Sequence, residues 1–434
     1  MPTLSLALIV KNESATLGHC LASVQGLADQ VVVVDTGSQD GTSDLARTLG
    51  AEVHGFNWCD DFAAARNASL SHCTSDWILI LDADEAVDAR DHAVIRGALE
   101  APEVHAYRLV LRNYYRSGSQ SLFGQPVVAN PGGYAEGATF PYCADFHGLR
   151  LARRHTGLAF HGRIHELLDP WFETRNLPVR PLNAVIHHYG KTFDDRENQK
   201  KVWYLELARS EARAKPGELQ AQFNLMQQAM AAAHWQETLD AALACLAHKS
   251  LAPALMAAGL ALQELERPAE ALPYLEKLLA HQPAHSLARN RRALSLALTG
   301  RVEAARRAWE DLQRDDPTFT LAHLNAAEFE LMAGNIPEAR RLLENGIAAC
   351  PSEAGLWDRR LQVAVQTEGL AASALLAKRA LQQIPGGGRG LWQRLAALQA
   401  AQEGRRAESL DWIAQGLARH PGDPDLEGLR ARLG

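Results

Sequence analysis

Residues 75–85 read SDWILILDADE. Within them Trp77 to Leu81 are all apolar, too short a run for a helix, and end abruptly at Asp82, the pattern of a strand buried on both faces. The same pattern recurs upstream in residues 4–10, ending at Lys11-Asn12-Glu13, in residues 31–34, ending at Asp35, and more weakly in residues 52–56. Residues 17–24, 42–49 and 62–70 lie between these runs and have helical spacing. Apolar strands alternating with helices predict an α/β domain with a Rossmann-like, mostly parallel sheet covered on both faces. Asp35 and Asp82 then stand at carboxyl ends of strands, the edge where open α/β sheets bind ligands.

At 434 residues the chain exceeds what one core usually organises, so at least two domains are expected. A net charge of −7 provides no global basic field, which argues against nucleic acid as a partner. The six cysteines are scattered without a CxxC pair, as expected of reduced thiols in an intracellular protein. The apolar run at residues 4–10 has no basic residue before it and is too short for a signal peptide or membrane core. With no membrane span expected, the cytoplasm is the expected compartment. Nucleophile-elbow, zinc-ligand and phosphate-loop motifs are all missing from the sequence.

Residues 101–190 are less regular and carry a cluster of breakers: Gly118, Gly124, Pro126, Pro131, Gly132, Gly133, Gly137 and Pro141. Such a long loop reads as acceptor-side structure, with a plain surface insertion as the alternative. Beyond residue 217 the chain repeats. Pro283, Pro317, Pro351 and Pro385 recur every 34 residues, Pro421 follows after 36, and Gly300/Gly334 and Ala271/Ala305/Ala339 keep the same 34-residue step. Small residues let helices cross closely and proline stops the second helix of each pair. The pattern resembles the tetratricopeptide repeat, with about six units between residues 219 and 425 in an all-α solenoid.

In LDADE, two carboxylates two residues apart follow a buried strand, where they can bracket a hard divalent cation and part of a nucleotide. An isolated DxD is a weak signal. Here it follows ALIVKNES (7–14), VVVVDTGSQDGTSDLA (31–46) and DFAAARNASL (61–70) in order. This ensemble resembles the family 2 glycosyltransferases, which have the GT-A fold and use nucleotide sugars with inversion; the likeness is close over residues 4–95 and looser to about 190. The resemblance implies that Glu13 and Asp35 face the nucleoside, that Arg66 contacts the nucleotide, and that Asp82 and Asp84 form the metal-binding DxD. Asp84 would be the more direct ligand of Mn²⁺ or Mg²⁺, with Asp82 near ribose and metal. Asp40 is read instead as ordering the turn into the helix at Thr42.

Residues 148–168 (GLRLARRHTGLAFHGRIHELL) and 185–190 (VIHHYG) are similar to the later part of a subset of these enzymes fused to tetratricopeptide repeats, including relatives of bacterial peptide S-glycosyltransferases. In His165-Glu166, Glu166 is a candidate base toward an acceptor hydroxyl or thiol, with Asp145, placed in the preceding loop, as rival. For either carboxylate, pairing with Arg150, Arg153 or Arg163 is the structural alternative. His188 has two open readings, a third metal ligand or a hydrogen-bonded structural histidine.

The resulting expectation is a catalytic domain over residues 1–195, a connecting helix over 196–216 and repeats over 217–434. The activity expected is transfer from a nucleoside diphosphate sugar, UDP-linked in the first instance, to a peptide or protein docked on the repeats. Two alternatives stand beside it: transfer to a lipopolysaccharide core or other lipid-linked glycan, and a non-catalytic repeat scaffold. Repeat arrays also make a homo-oligomer an expectation. All residues assigned to donor chemistry precede residue 191, so a chain ending near Lys215 is expected to keep donor binding.

Overall fold

Strand β1 (Leu4–Val10) is the spine of the N-terminal sheet, with β2 (Gln30–Asp35) and β4 (Trp77–Ile80) parallel to it on either side and β3 (Glu52–Gly55) beyond β2. The structure, a computed structural model, describes residues 1–115, 127–189, 197–384 and 391–433, without the side chains of residues 197–201 and 391. Gly118, Gly124, Pro126, Pro385 and Gly190 lie outside the described residues.

β1 is apolar but for Ser5, which is buried and donates to Gln30 Oε1 (2.6 Å), because both faces are covered. Leu4, Leu6, Leu8 and Val10 join one core with Val33, Leu79, α1 (Leu17–Ser23) and α4 (His92–Ala98), while Ala7 joins the opposite core with Val32, Ile78, Ile80 and α3 (Phe62–His72). Helix α2 (Thr42–Thr48) packs beside β3. The sheet continues past β4 in the order β8, β6, β9, β5, with β7 on β8. These are β5 (Glu85–Val87), β6 (Ala106–Tyr115), β7 (Val128–Ala129), β8 (Tyr142–Arg153) and β9 (Val179–His188).

This second half is mixed: β8 runs antiparallel to β4 and β6, β5 antiparallel to β9, and β6 parallel to β9. Regular βα alternation stops after α4, leaving only the short α5 (Asp169–Glu173) between β8 and β9. Three of the sheet's longest strands thus occupy the region the sequence leaves irregular. They elude an apolar-run criterion because polar and charged residues interrupt them, β6 reading AYRLVLRNYY with Ala106 and Leu109 buried and Arg108 and Arg112 only half-buried.

The remaining described elements are helical: α6 (Glu197–Ala214), α7 (Leu219–Ala231), α8 (Trp235–His248), α9 (Ala252–Glu264), α10 (Pro268–His281), α11 (Ser286–Leu298), α12 (Val302–Asp315), α13 (Thr320–Met332), α14 (Ile336–Ala349), α15 (Ala354–Thr367), α16 (Gly369–Gln383), α17 (Leu391–Gln402), α18 (Arg406–Arg419) and α19 (Pro424–Leu433). Ala271, Ala305 and Ala339 are completely buried where helices cross, the tight contact their size permits. Gly300 and Gly334 end α11 and α13 in the left-handed conformation, each with φ of 77°, which glycine adopts without strain. The chain divides into two compact units, Met1–Ala261 and Leu262–Gly434. The first therefore holds the sheet domain together with α6 to α8.

Candidate active site

The turn that follows β4 closes on itself: Asp82 N donates to Glu85 Oε2 (2.8 Å) and Glu85 N to the Asp82 carbonyl (3.0 Å). β5 then pairs antiparallel with β9 and sets Glu85 opposite His188. That register brings Asp84 Oδ2 to 3.5 Å from His188 Nε2. His188 Nδ1 lies 2.6 Å from Asn113 Oδ1 on β6, and an amide oxygen only accepts. Nδ1 therefore carries the proton and Nε2 is the nitrogen aimed at Asp84. Burial disfavours a charged His188, but Asp84, Glu85 and Asp82 outweigh it and raise its pKa. The same three carboxylates favour any cation at Nε2, proton or metal.

Arg66 is the hub of the site. It sits one turn into α3, 5% exposed, with Nε on Glu166 Oε1 (3.0 Å), Nη1 on the Leu81 carbonyl (3.2 Å) and Nη2 paired with Asp82. All three nitrogens are thus committed inside the protein, and the guanidinium joins the first aspartate of the DxD to the candidate base. Burial works against its charge, yet Asp82 and Glu166 raise its pKa further. Arg150 on β8 performs a similar task, bonding Glu85 Oε1 at 2.8 Å and Asp82 Oδ2 at 3.4 Å. Asp82 is kept ionised: burial opposes it, but Arg66 and Arg150 prevail. Glu85 is pushed up to about 7, chiefly by burial, with Arg150 opposing and Asp82 adding to the rise.

The two candidate bases differ sharply. Asp145 lies within strand β8, not in a loop, and faces Arg112 across the β6 register. Arg112 takes both its oxygens in a fork, Nε to Oδ1 at 2.8 Å and Nη2 to Oδ2 at 2.7 Å, so its partner is none of the three arginines expected from the sequence. Glu166 is held through Oε1 alone, and its second oxygen has no partner among the described residues. His165 beside it is exposed, adopts a left-handed φ of 50°, and meets Gln228 Nε2 at 2.8 Å from its own Nε2.

At the edge of β1 and β2, Asp35 Oδ1 accepts from the N–H groups of Gly37 (2.9 Å) and Ser38 (2.8 Å), and Oδ2 is bonded by Ser43. Burial resists its ionisation, but these donors, led by Ser43, lower its pKa. Glu13 Oε2 accepts from Thr16 (2.9 Å) at the start of α1. Asp40 accepts from Thr42 N and Ser14 N, both at 3.1 Å. It therefore orders the turn into α2 and ties that turn to the loop after β1.

Asp82, Asp84, Arg66, Glu166 and His188 thus meet at one place, Glu13 and Asp35 line the neighbouring strand ends, and Asp145 belongs to a separate pair. Sequence reading assigned no role to Glu85, Asn113 or Arg112. Glu85 was legible as part of LDADE, whereas the other two are fixed only by strand pairing between β6, β8 and β9. Among the described residues, no three His, Cys, Asp or Glu side chains gather as a preformed metal cluster.

Comparison with known proteins matches residues 5–122 to the family "Glycosyl transferase family 2". Residues 256–318 and 299–354 match "Tetratricopeptide repeat". A TPR repeat-containing protein of Synechococcus elongatus is 34% identical over 196 residues, 44% of this chain and 43% of that protein. The SPbeta prophage-derived glycosyltransferase SunS of Bacillus subtilis is 26% identical over 203 residues, 46% of this chain and 42% of its own. An uncharacterized glycosyltransferase of Rickettsia prowazekii is 40% identical over 85 residues, 20% of this chain and 29% of that one. A solved tetratricopeptide repeat protein of Parabacteroides merdae covers 56% of this chain and is itself 96% covered, at 16% identity and a TM-score of 0.37. The chain spans less than half the length of these curated relatives. It carries a family 2 glycosyltransferase domain followed by tetratricopeptide repeats.

Proposed function

We propose that the chain is an inverting, divalent-metal-dependent glycosyltransferase that moves a sugar from a nucleoside diphosphate sugar, UDP-linked in the first instance, to a peptide or protein acceptor. The observation that carries the reading is the convergence of Asp84 and His188 at 3.5 Å, with the histidine's other nitrogen fixed by Asn113. A carboxylate and an oriented imidazole fit Mn²⁺ or Mg²⁺, ions that complete their shells with water and substrate phosphate. Bound there, the metal would offset charge on the departing nucleoside diphosphate.

The protein's own groups account for the rest. Asp82, kept anionic by Arg66 and Arg150, would lie near the ribose and metal, while Asp35 and Glu13 would flank the nucleoside. Arg66, enclosed by its partners, sets Asp82 and Glu166. Glu166 takes the proton from the acceptor hydroxyl or thiol through its second oxygen, which has no partner among the described residues, as the acceptor attacks the anomeric carbon. The bond from that carbon to the diphosphate breaks, and the configuration inverts. Glu166 is favoured over Asp145 because a carboxylate locked in an arginine fork is a poor base. His165 lies beside Glu166 and bonds outward to Gln228, which suits a supporting role.

The likeness to a glycosyltransferase such as SunS supports the transferase class, and the repeats support a protein acceptor. No described helix is long and apolar enough to cross a membrane, and a cytoplasmic site is proposed with the nucleotide-sugar donor. The test is donor hydrolysis and transfer, measured with Mn²⁺, with Mg²⁺ and after chelation, against peptide and lipid-linked glycan acceptors. Metal-dependent transfer to peptides is the expected result. Transfer to the glycan alone would favour lipopolysaccharide-type chemistry, and no turnover with any nucleotide sugar would leave the scaffold reading.

A further inference from the structure

The loop that carries Glu166 is held by helices from outside the sheet domain at three successive residues. Arg163 N donates to Glu211 Oε1 on α6 (3.2 Å), Asn224 Nδ2 on α7 donates to the Ile164 carbonyl (3.0 Å), and Gln228 on α7 meets His165. From the opposite side, the Arg163 carbonyl accepts from Phe62 N (2.9 Å) at the start of α3, and Arg66 one turn on holds Glu166 itself. Residues 163–166 are thus gripped between α3 and the pair α6 and α7.

The grip is buried. Asn224 and Ile164 are completely enclosed and Glu211 is 3% exposed. Ile164 packs with Leu207 and Ala208 of α6, joined by Phe62, Trp203, Tyr204 and Leu225. Phe62 stacks on Tyr204 at 5.8 Å and 19°. The Tyr204 hydroxyl is pushed up to about 12 by burial and by the charges of Glu166, Asp82 and Asp84, so α6 stands within the electrostatic reach of the site. A left-handed non-glycine residue such as His165 costs about 1–2 kcal/mol and persists only where its surroundings impose it. The contacts on both sides of it supply that constraint.

We infer that Asn224 and Glu211 are positioning residues of the transfer reaction, setting Glu166 through the main chain of residues 163–165, so that the first repeat helix is a working part of the active site. This rests on the transferase reading above. A base must be held within about 0.5 Å of its working position, and here the main chain beside it is fixed by helices that the sequence pattern assigns to the linker and the array.

The test uses the full chain. Asn224→Leu, which removes the donor, and Glu211→Ala are compared with Glu211→Gln, whose side-chain oxygen still accepts from Arg163. In folded variants kcat should fall about tenfold or more with donor KM within about twofold, since misplacement of a catalytic group slows chemistry without weakening donor binding. Amide exchange over residues 161–168 should quicken, and Glu211→Gln should restore most of the rate. A kcat near the parent value in folded Asn224→Leu and Glu211→Ala overturns the inference, as does a rise in KM alone. Should both variants fail to fold, Gln228→Ala at the exposed contact decides: a lower kcat with faster exchange supports the grip, and no change in either sinks it. If the parent chain itself turns over no nucleotide sugar, the transferase reading fails separately. Exchange over 161–168 then judges the grip, and exchange unchanged by Asn224→Leu overturns it too.

Discussion

Asp84 and Asp82 share a motif but not a task. Asp82 is tied to Arg66 and Arg150, whereas Asp84 among the described residues pairs with His188, so the proposed metal depends on Asp84 for its anionic ligand. Asp84→Asn should therefore lower metal-dependent turnover about a hundredfold to a thousandfold, the size of losing a focused electrostatic contact, while the thermal melt stays in place. Near-normal Mn²⁺-dependent turnover would refute the assignment. Asn113→Leu probes the histidine indirectly by releasing His188 Nδ1. Mn²⁺ affinity, read by titration calorimetry with nucleotide present, should weaken about 10- to 100-fold as is usual when a ligand's orienting partner is lost; equal affinity would make Asn113 a packing residue. The two candidate bases separate by the same logic. Glu166→Gln still accepts from Arg66 but takes no proton, so transfer should drop by about 10²–10⁴ with nucleotide affinity retained, whereas Asp145→Asn should act mainly on stability through Arg112. The reverse pattern in rates would exchange their roles.

At the level of elements, the parallel half of the sheet was legible because strands covered on both faces are near-continuous apolar runs, as residues 4–10 are with only Ser5 intervening. The strands β6, β8 and β9 were not legible, since polar and charged residues break each of them into short apolar pieces and only pairing joins those pieces into strands. Arg112, Asn113 and Arg150 owe their site positions to that pairing, as register aligns Arg112 with Asp145 and Asn113 with His188. The repeats were legible for a different reason: each unit solves the same packing problem, so the same small residues return. Gly346 shows how tight the solution is, because a Cβ there would lie 2.9 Å from both His323 Cβ and Leu356 Cδ2. Gly346→Ala should thus cost about 1–3 kcal/mol by overpacking, seen as a lower melting temperature of the full chain. An unchanged or raised melt would mean that α13 and α15 yield at no cost.

For the molecule as a whole, the sequence suggests a cut near Lys215, while the compact unit containing the site extends to Ala261. Asn224, Leu225 and Gln228 all lie beyond Lys215 and all meet the Glu166 loop or the cluster beneath it. A chain ending at Lys215 would expose the apolar faces of Leu207, Ala208 and Ile164, a liability for association, and would free residues 163–166 from one side. A chain ending at Glu264 keeps that grip and loses the later repeats. The Glu264 chain should melt cooperatively, bind the nucleoside diphosphate with the affinity of the full protein and hydrolyse the donor slowly in water, yet fail to transfer to a peptide if the later repeats recruit it. The Lys215 chain should aggregate or, if soluble, show faster amide exchange over 161–168 and weaker hydrolysis. Circular dichroism and a thermal melt on each fragment come first, because α9 loses packing when the chain stops at 264. Transfer by a folded Glu264 chain as efficient as that of the full protein would remove acceptor recruitment from the later repeats. Full hydrolysis by a folded Lys215 chain would show that the sheet domain sets Glu166 unaided.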